Sequence, residues 1–224
     1  FHAGGQEHFY LEGQITLAVP GEDGDLTIHS STQNPTEVQV MVARVLGCDH
    51  NRIAVQVRRM GGAFGGKESN ASWVAACAAV AARRTGRPVK LRLGRKQDIA
   101  ATGKRHPFLY RWSAGFDDTG RILALEATMA ADGGHSVDLS GGVVFRSVTH
   151  GLNVIDVPDV TITGVACKTN TVSNTAFRGF GGPQGVLLME DVTHHVARAL
   201  GTTQEAVRER NLAGGENDAV TPYG

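Results

Sequence analysis

Three glycine-rich segments hold the residues best suited to chemistry in this sequence. The first, Arg58-Arg59-Met60-Gly61-Gly62-Ala63-Phe64-Gly65-Gly66-Lys67-Glu68, lies between a predicted strand and a predicted helix. Glycines leave successive peptide N–H groups uncovered and the helix start adds partial positive charge. Backbone alone is therefore expected to hold phosphate or metal-oxo oxygens there. Phe64 is placed to cover a flat ligand. The second segment, Asn174-Thr175-Ala176-Phe177-Arg178-Gly179-Phe180-Gly181-Gly182-Pro183, also precedes a helix start. Arg178 offers five fixed donors to an anion, with Phe177 and Phe180 on either side of it, and a purely structural stacked arginine is the competing reading. In the third, Gly4-Gly5-Gln6-Glu7-His8-Phe9-Tyr10-Leu11-Glu12, Gln6 is either an amide donor to an oxo group or a turn residue.

Two other chemistries compete for these residues. Gly61 to Lys67 fits the opening of a phosphate-binding loop, but Glu68 stands where Ser or Thr should hold magnesium, and Leu187-Leu188-Met189-Glu190-Asp191 falls in a helical pattern rather than on an acidic strand. That weighs against a nucleotide hydrolase. Glu190 and His194 share a helix face with Asp191 and His195 nearby, a weak metal signal that solvent-facing polar residues explain equally well.

Composition narrows the class. Lys and Arg total 22 and Asp and Glu total 22, so charge alone points to neither nucleic acid nor a membrane surface. Arg83 to Arg121 holds eleven of the basic residues, which is read as a solvated sheet face. Cys48, Cys77 and Cys167 stand 29 and 90 residues apart, spacing that suits neither a disulfide framework nor a zinc or iron–sulfur site and implies a reducing, cytoplasmic setting. The longest apolar run, Trp73 to Ala82, is ten residues, short of the ~20 a spanning helix needs. Glycine numbers 29 of 224 residues, nearly twice the usual ~7 per cent, in clusters with no period, which suggests close backbone approach to a ligand. The start at Phe1-His2-Ala3 and the end at Thr221-Pro222-Tyr223-Gly224 lead to the expectation of a fragment incomplete at both ends.

The elements that must position these residues follow from periodicity. Strands are expected at Ile15–Val19, Leu26–Ser30, Ile53–Val57, Val89–Leu93, Phe108–Phe116, Ile122–Ala131 and Thr161–Cys167. A helix capped by Thr36, with Gln39 completing a capping box, should end at Gly47; an alanine-rich one should span Ala71–Arg84. A third is expected over Val186–Leu200 after Pro183, and a short one near Thr202 with Glu205 at its capping-box position. No linker divides the chain. The mixture predicts an α+β fold, mixed sheets with antiparallel hairpins and packed helices, rather than a doubly wound one.

Taken together, GGQEHFYLE at 4–12, STQNPTEVQ at 31–39, RRMGGAFGGKE at 58–68, TGKRHPF at 102–108, CKTN at 167–170 and SNTAFRGFGGPQG at 173–185 resemble the xanthine dehydrogenase and aldehyde oxidase family of molybdenum hydroxylases. The segments lie in the family's order across nearly the whole chain. The resemblance implies that residues 1–224 are the N-terminal part of the molybdenum-cofactor-binding domain. It further implies that Gln6 hydrogen-bonds an oxo ligand of molybdenum and that Phe64, Gly65 and Arg178 approach the metal's coordination sphere. Gly62, Ala176 and Phe177 complete the implied cofactor-binding set.

In the purine-oxidising branch a glutamate and an arginine face each other across the heterocycle; these map to Glu68 and Arg146, with Phe180 stacking on the ring. Such a pair suits xanthine or hypoxanthine, because a carboxylate accepts ring N–H protons while a guanidinium stabilises charge on a carbonyl oxygen. The competing readings are a Glu68 pairing with Lys67 or Arg58, and an Arg146 bound to a helix-poor segment after Gly142. Ala63 departs from the family loop, as does Gly151-Leu152-Asn153-Val154-Ile155 after His150. The Arg146 assignment rests on its spacing of four from His150, with Asn153 behind.

The family's activity is hydroxylation with water as oxygen source. Its glutamate base lies in a later stretch, so no catalytic residue is expected here and this stretch by itself should not turn over. The resemblance also implies FAD and 2Fe-2S clusters on other domains or subunits, NAD as acceptor, an oligomer, and no nucleic-acid or membrane partner. Hydroxylation of an aldehyde or another N-heterocycle is the alternative within the family. A non-catalytic scaffold, docking flavin and iron–sulfur partners through the Arg83 to Arg121 surface, is the alternative outside it.

Overall fold

Apolar alternation and helical periodicity yield β1 (His2–Ala3), β2 (Ile15–Pro20), β3 (Leu26–Ser30), α1 (Pro35–Leu46), β4 (Ile53–Gln56), α2 (Asn70–Thr85), β5 (Val89–Arg92) and α3 (Arg95–Ala101). They continue with β6 (Phe108–Phe116), β7 (Ile122–Gly134), α4 (Ser140–Thr149), β8 (Asp159–Lys168), α5 (Gly182–Leu200) and α6 (Gln204–Arg210). The computed structural model describes residues 1–214, so Thr221 to Gly224 lie outside the described residues. The chain divides into two compact units: Phe1–Gly5, His106–Thr171 and Gly179 onward form the first, Gln6–Arg105 and Val172–Arg178 the second. Because the chain passes between them four times, no single linker marks the division in the sequence.

In the second unit four strands run in the order β4-β3-β2-β5. β2 pairs antiparallel with β3 and β5, while β3 and β4 are parallel, joined through α1. Helix α1 begins because Asn34 Oδ1 accepts the Glu37 N–H at 3.1 Å and Pro35 fills the first turn; Gly47, at φ +64°, ends it. The expected cap at Thr36 is thus two residues late, and Gln39 instead donates to the Ile53 carbonyl at 2.8 Å. On α2 the small face Ala71, Ala75, Ala78, Ala79 and Ala82 is buried among Ala18, Leu26, Ile28, Val38 and Ile53. Each methyl withdrawn from water contributes about 0.8 kcal/mol.

In the first unit the order is β1-β6-β7-β8. β6 and β7 form a hairpin whose turn is held by Asp117 Oδ1, accepting the Thr119 N–H at 2.8 Å and the Arg121 N–H at 3.1 Å. β7 and β8 are parallel, with α4 as the crossover. Helices α4 and α5 pack with the sheet around Phe108, Tyr110, Met129, Val143, Leu188 and Val192.

Two helices were not expected. α3 sets Asp98, which accepts from the Tyr10 hydroxyl at 2.7 Å and the Gln14 N–H at 3.0 Å. Burial first, and Asp98 second, push the Tyr10 phenol above its ordinary range. α4 corrects the helix-poor expectation after Gly142: burial of Val143, Val144 and Ser147 outweighs the low helix propensity of Gly141 and Gly142. The last helix is capped by Thr203, whose hydroxyl accepts the Ala206 N–H at 3.2 Å, rather than by a box ending at Glu205. The remaining expected elements appear within a few residues of their expected ends, and the α+β class with mixed sheets holds.

Candidate functional site

The Gly61–Glu68 loop follows β4 because the chain must reverse around Tyr10 and His8. A Cβ on Gly66 would lie 2.7 Å from the His8 ring, and one on Gly61 would lie 2.5 Å from the Glu12 side chain. Gly62 and Gly65 have φ of +91° and +97°, which glycine alone adopts without strain. Phe64 between them takes φ +53° and remains 48 % exposed, a strained aromatic of the kind that collects at ligand sites. Phe180 has φ +45° as well.

An ionic clamp closes the loop. Glu12 Oε2 accepts from the Gly61 N–H at 3.0 Å, from the Ser31 hydroxyl at 2.5 Å and from Lys67 Nζ at 3.1 Å. Burial would raise the Glu12 carboxyl, but these donors hold it below its usual value. Burial pulls the Lys67 ammonium down and Glu12 opposes the pull. With Ser31 as a further partner at 2.8 Å, the lysine is fully enclosed and unavailable to a phosphate. Lys67 is engaged by Glu12 and Ser31, and Leu187 to Asp191 lie inside α5, so the nucleotide-hydrolase reading fails on both counts.

Amide accounting corrects a second expectation. The Gly65 N–H donates to Gln33 Oε1 at 2.9 Å, the Gly66 N–H to the Ala63 carbonyl at 2.8 Å, and the Lys67 N–H to Gln33 Oε1 at 3.3 Å. Most amides on the helix side of this bend are therefore spent inside the protein. They do not form an open anion nest. The glycines serve approach: a Cβ on Gly65 would meet the Ala176 carbonyl carbon and oxygen at 2.8 Å.

That approach joins the two segments. The Arg178 N–H donates to the Phe64 carbonyl at 2.9 Å, and His8 Nε2 bonds the Ala176 carbonyl at 2.7 Å. The His8 ring stacks on Phe177 with centroids 4.6 Å apart, and burial lowers the His8 pKa. Arg105 lies 4.0 Å over the Phe177 ring, donates from Nε to Gln6 Oε1 at 2.5 Å and from Nη2 to the Arg178 carbonyl at 2.9 Å. The stacked cation is therefore Arg105, and the Arg178 side chain stays exposed. Gln6, Gly62, Phe64, Gly65, Ala176, Phe177 and Arg178 all belong to the second unit. Half-buried Glu68 lies there too.

In the first unit Arg146 projects from α4 with its guanidinium 5.9 Å from the Phe180 ring centroid. The Gly179–Gly185 run exists for helix contact. A Cβ on Gly181 would lie 2.1 Å from the Val143 carbonyl oxygen, and one on Gly185 2.4 Å from that of Ser147. The His150 ring, four residues after Arg146, bonds the Arg146 carbonyl at 2.9 Å. Glu190 is committed to Arg208 and Gln204, and among the described residues no group of three His, Cys, Asp or Glu side chains can hold a metal. Cys48, Cys77 and Cys167 are free thiols. No described helix is long and apolar enough to cross a membrane.

Sequence reasoning assigned no role to His8, Glu12, Gln33 or Arg105. All four lie within the quoted motifs, and their cross-chain partners were the missing signal. The donor set fits an anionic, oxygen-bearing planar group such as a molybdenum–pterin: an outward amide on Gln6, the exposed Arg178 guanidinium, an unpartnered buried Arg105 Nη1 and the exposed Phe64 ring. Side chains, rather than the Gly65–Lys67 amides, supply the donors.

The sequence profile of the molybdopterin cofactor-binding domain matches residues 1–212. The chain is 51% identical to the xanthine dehydrogenase of Emericella nidulans over 93% of its own length and 15% of that protein's. It is 50% identical to the xanthine dehydrogenase/oxidase of Gallus gallus over 94% of its length and 16% of that protein's. Among solved structures, the aldehyde oxidoreductase from Desulfovibrio gigas superposes with a TM-score of 0.87 at 28% identity, covering 100% of this chain and 24% of that one. The chain thus spans about one sixth of the length of the curated relatives it matches.

Proposed function

This chain belongs to the molybdopterin cofactor-binding domain family, and on that premise we propose that it is part of a molybdenum hydroxylase that oxidises a purine such as xanthine or hypoxanthine. The observation that carries the reading is the joining of Phe64–Gly65 to Ala176–Arg178, through the 2.9 Å Arg178 N–H bond to the Phe64 carbonyl and the Cβ-free contact at Gly65. The bound group supplies the oxidising centre at which an oxygen derived from water is added to an electron-poor carbon and two electrons are removed.

Each of the chain's own residues has a task in that reading. Gln6 donates from its amide nitrogen, Arg178 donates to anionic oxygen, and Phe64 covers the group and excludes water. The Glu68 carboxylate accepts a ring N–H of the purine, Arg146 donates to the carbonyl oxygen on which charge builds, and Phe180 offers a ring face. The general base, FAD and the 2Fe-2S clusters are assigned to other parts of the full-length protein or to partner subunits. NAD as acceptor, an oligomeric assembly and a cytoplasmic setting belong to the same proposal. The span 1–224 is taken as the N-terminal part of a larger cofactor-binding domain.

Substituting Glu68→Val in the full-length protein tests the reading. Loss of xanthine oxidation with molybdenum content and subunit assembly unchanged is expected. Failure of the variant to assemble with flavin and iron–sulfur partners would favour a docking scaffold instead. The structural likeness to an aldehyde oxidoreductase supports a second reading, in which the substrate is an aldehyde; unchanged aldehyde turnover in Glu68→Val, with no purine activity in the parent, would select it.

A further inference from the structure

Helix α4 carries two adjacent glycines that differ in what they face. A Cβ on Gly141 would meet nothing within 4 Å, whereas one on Gly142 would lie 2.8 Å from Cε1 and 3.1 Å from Cζ of the Phe180 ring. Gly142 sits in the first turn without a positive φ, so its backbone makes no demand for glycine, and glycine weakens a helix. What the missing side chain provides is room for the ring laid against it.

Phe180 has little freedom except at its side chain. Its φ of +45° stands between Gly179 at +92° and Gly181 at +97°. A Cβ on Gly181 would lie 2.1 Å from the Val143 carbonyl oxygen, and the buried Ser147 hydroxyl reaches that oxygen at 2.8 Å and the Gly181 carbonyl at 3.0 Å. The backbone beside the ring is thus packed directly on α4. Arg146, four residues after Gly142 and so on the same helix face, sets its guanidinium 5.9 Å from the ring centroid. Gly142, Arg146 and Phe180 all belong to the first unit.

We propose that Gly142 is a positioning residue for the substrate slot: its bare Cα lets the Phe180 ring seat against α4 beside the Arg146 guanidinium, at the depth that admits a two-ring purine. The inference rests on the purine reading above, in which Phe180 offers a ring face and Arg146 donates to a carbonyl oxygen. Carbon atoms in contact keep about 3.5–4.0 Å, so a methyl at 142 drives the ring roughly 1 Å from the helix. Because the backbone of 179–181 is packed in place, the side chain takes up that displacement and the ring moves relative to Arg146. A planar substrate then binds more weakly, while the chemical step keeps its rate because no reacting group has been removed.

The test uses the full-length protein loaded with its cofactor and measures kcat and KM for xanthine. Gly142→Ala should raise KM about threefold with kcat unchanged, and Gly141→Ala should match the parent. Phe180→Leu removes the two ring atoms that Gly142 faces, so adding Gly142→Ala to it should leave KM where Phe180→Leu alone puts it. A parental KM in Gly142→Ala would overturn the proposal. So would an equal rise from Gly141→Ala, or a rise that persists in the Phe180→Leu background. Insoluble Gly142→Ala protein beside soluble Gly141→Ala would overturn it too, by showing a ring that cannot yield. A parent that holds molybdenum but leaves xanthine unoxidised would overturn the purine reading itself, and the proposal with it.

Discussion

The two glycine clusters look alike as strings and do different work in the two units. At Gly61–Gly66 the missing side chains let a loop lie against Glu12, His8 and the Ala176 carbonyl, with the loop's ends tied by the bond from the buried Lys67 to the partly exposed Glu12. At Gly179–Gly185 they let α5 start against the carbonyls of α4. Both clusters solve a packing problem first. Only the former ends with several side-chain donors, from Gln6 and Arg178, left open. Glycine density therefore marks close approach, and the polar side chains beside it decide whether a ligand is what approaches.

The comparison breaks most visibly at Gly181. Adding a methyl there combines φ +97° with a 2.1 Å approach to the Val143 carbonyl oxygen, and Gly181→Ala should abolish soluble full-length protein. Gly65→Ala should cost about 3–5 kcal/mol through the same strain plus a 2.8 Å backbone clash, leaving protein that purifies without molybdenum. Recovery of fully loaded Gly65→Ala protein would refute the packing role of that glycine.

Lys67→Met should cost about 2 kcal/mol, through loss of the charge-assisted hydrogen bonds to Glu12 and Ser31. A Tm equal to the parent's would show that the clamp does not support the loop.

In the first unit His106 is buried against the Ser140 hydroxyl at 2.8 Å, and burial lowers its pKa to about 4. Between pH 6.5 and about 4 the unfolded chain binds a proton that the folded unit refuses, so stability falls as pH falls across that window, by about 3 kcal/mol in total. Hydrogen exchange of β6 and β7 amides in the full-length protein reads the slope. His106→Gln should flatten it, and an unchanged slope would place the acid sensitivity elsewhere.

The smallest effect is expected at Gly142, where an added Cβ meets only the edge of the Phe180 ring at 2.8 Å. A side chain can yield where a carbonyl cannot. Gly142→Ala should leave Tm unchanged and raise KM for xanthine about threefold, roughly 0.6 kcal/mol.

Most strands and the alanine-rich helix were legible because their signals are local: alternation, caps and turn residues act over a few positions. Helix α4 was missed since Gly141 and Gly142 argue against a helix locally, and the burial of Val143 and Val144 that overrides them comes from packing on β7, β8 and α5, outside the helix's own stretch of chain. The cap of α1 was misplaced by two residues because Pro35 and Thr36 both carry helix-start signals, and the Asn34–Glu37 hydrogen bonds chose between them.

By itself, the order of residues determined the class of fold, the family likeness and which side chains are chemically equipped: an amide at 6, aromatics at 64 and 177, a guanidinium at 178. Tertiary structure alone decided how they are used. The atom Gln6 turns outward depends on Arg105, 99 residues away, and the fate of the loop amides depends on Gln33. Hydrogen bonds are short and directional, so a donor's availability is set by whichever acceptor the fold brings within 3 Å, and no spacing along the chain encodes that.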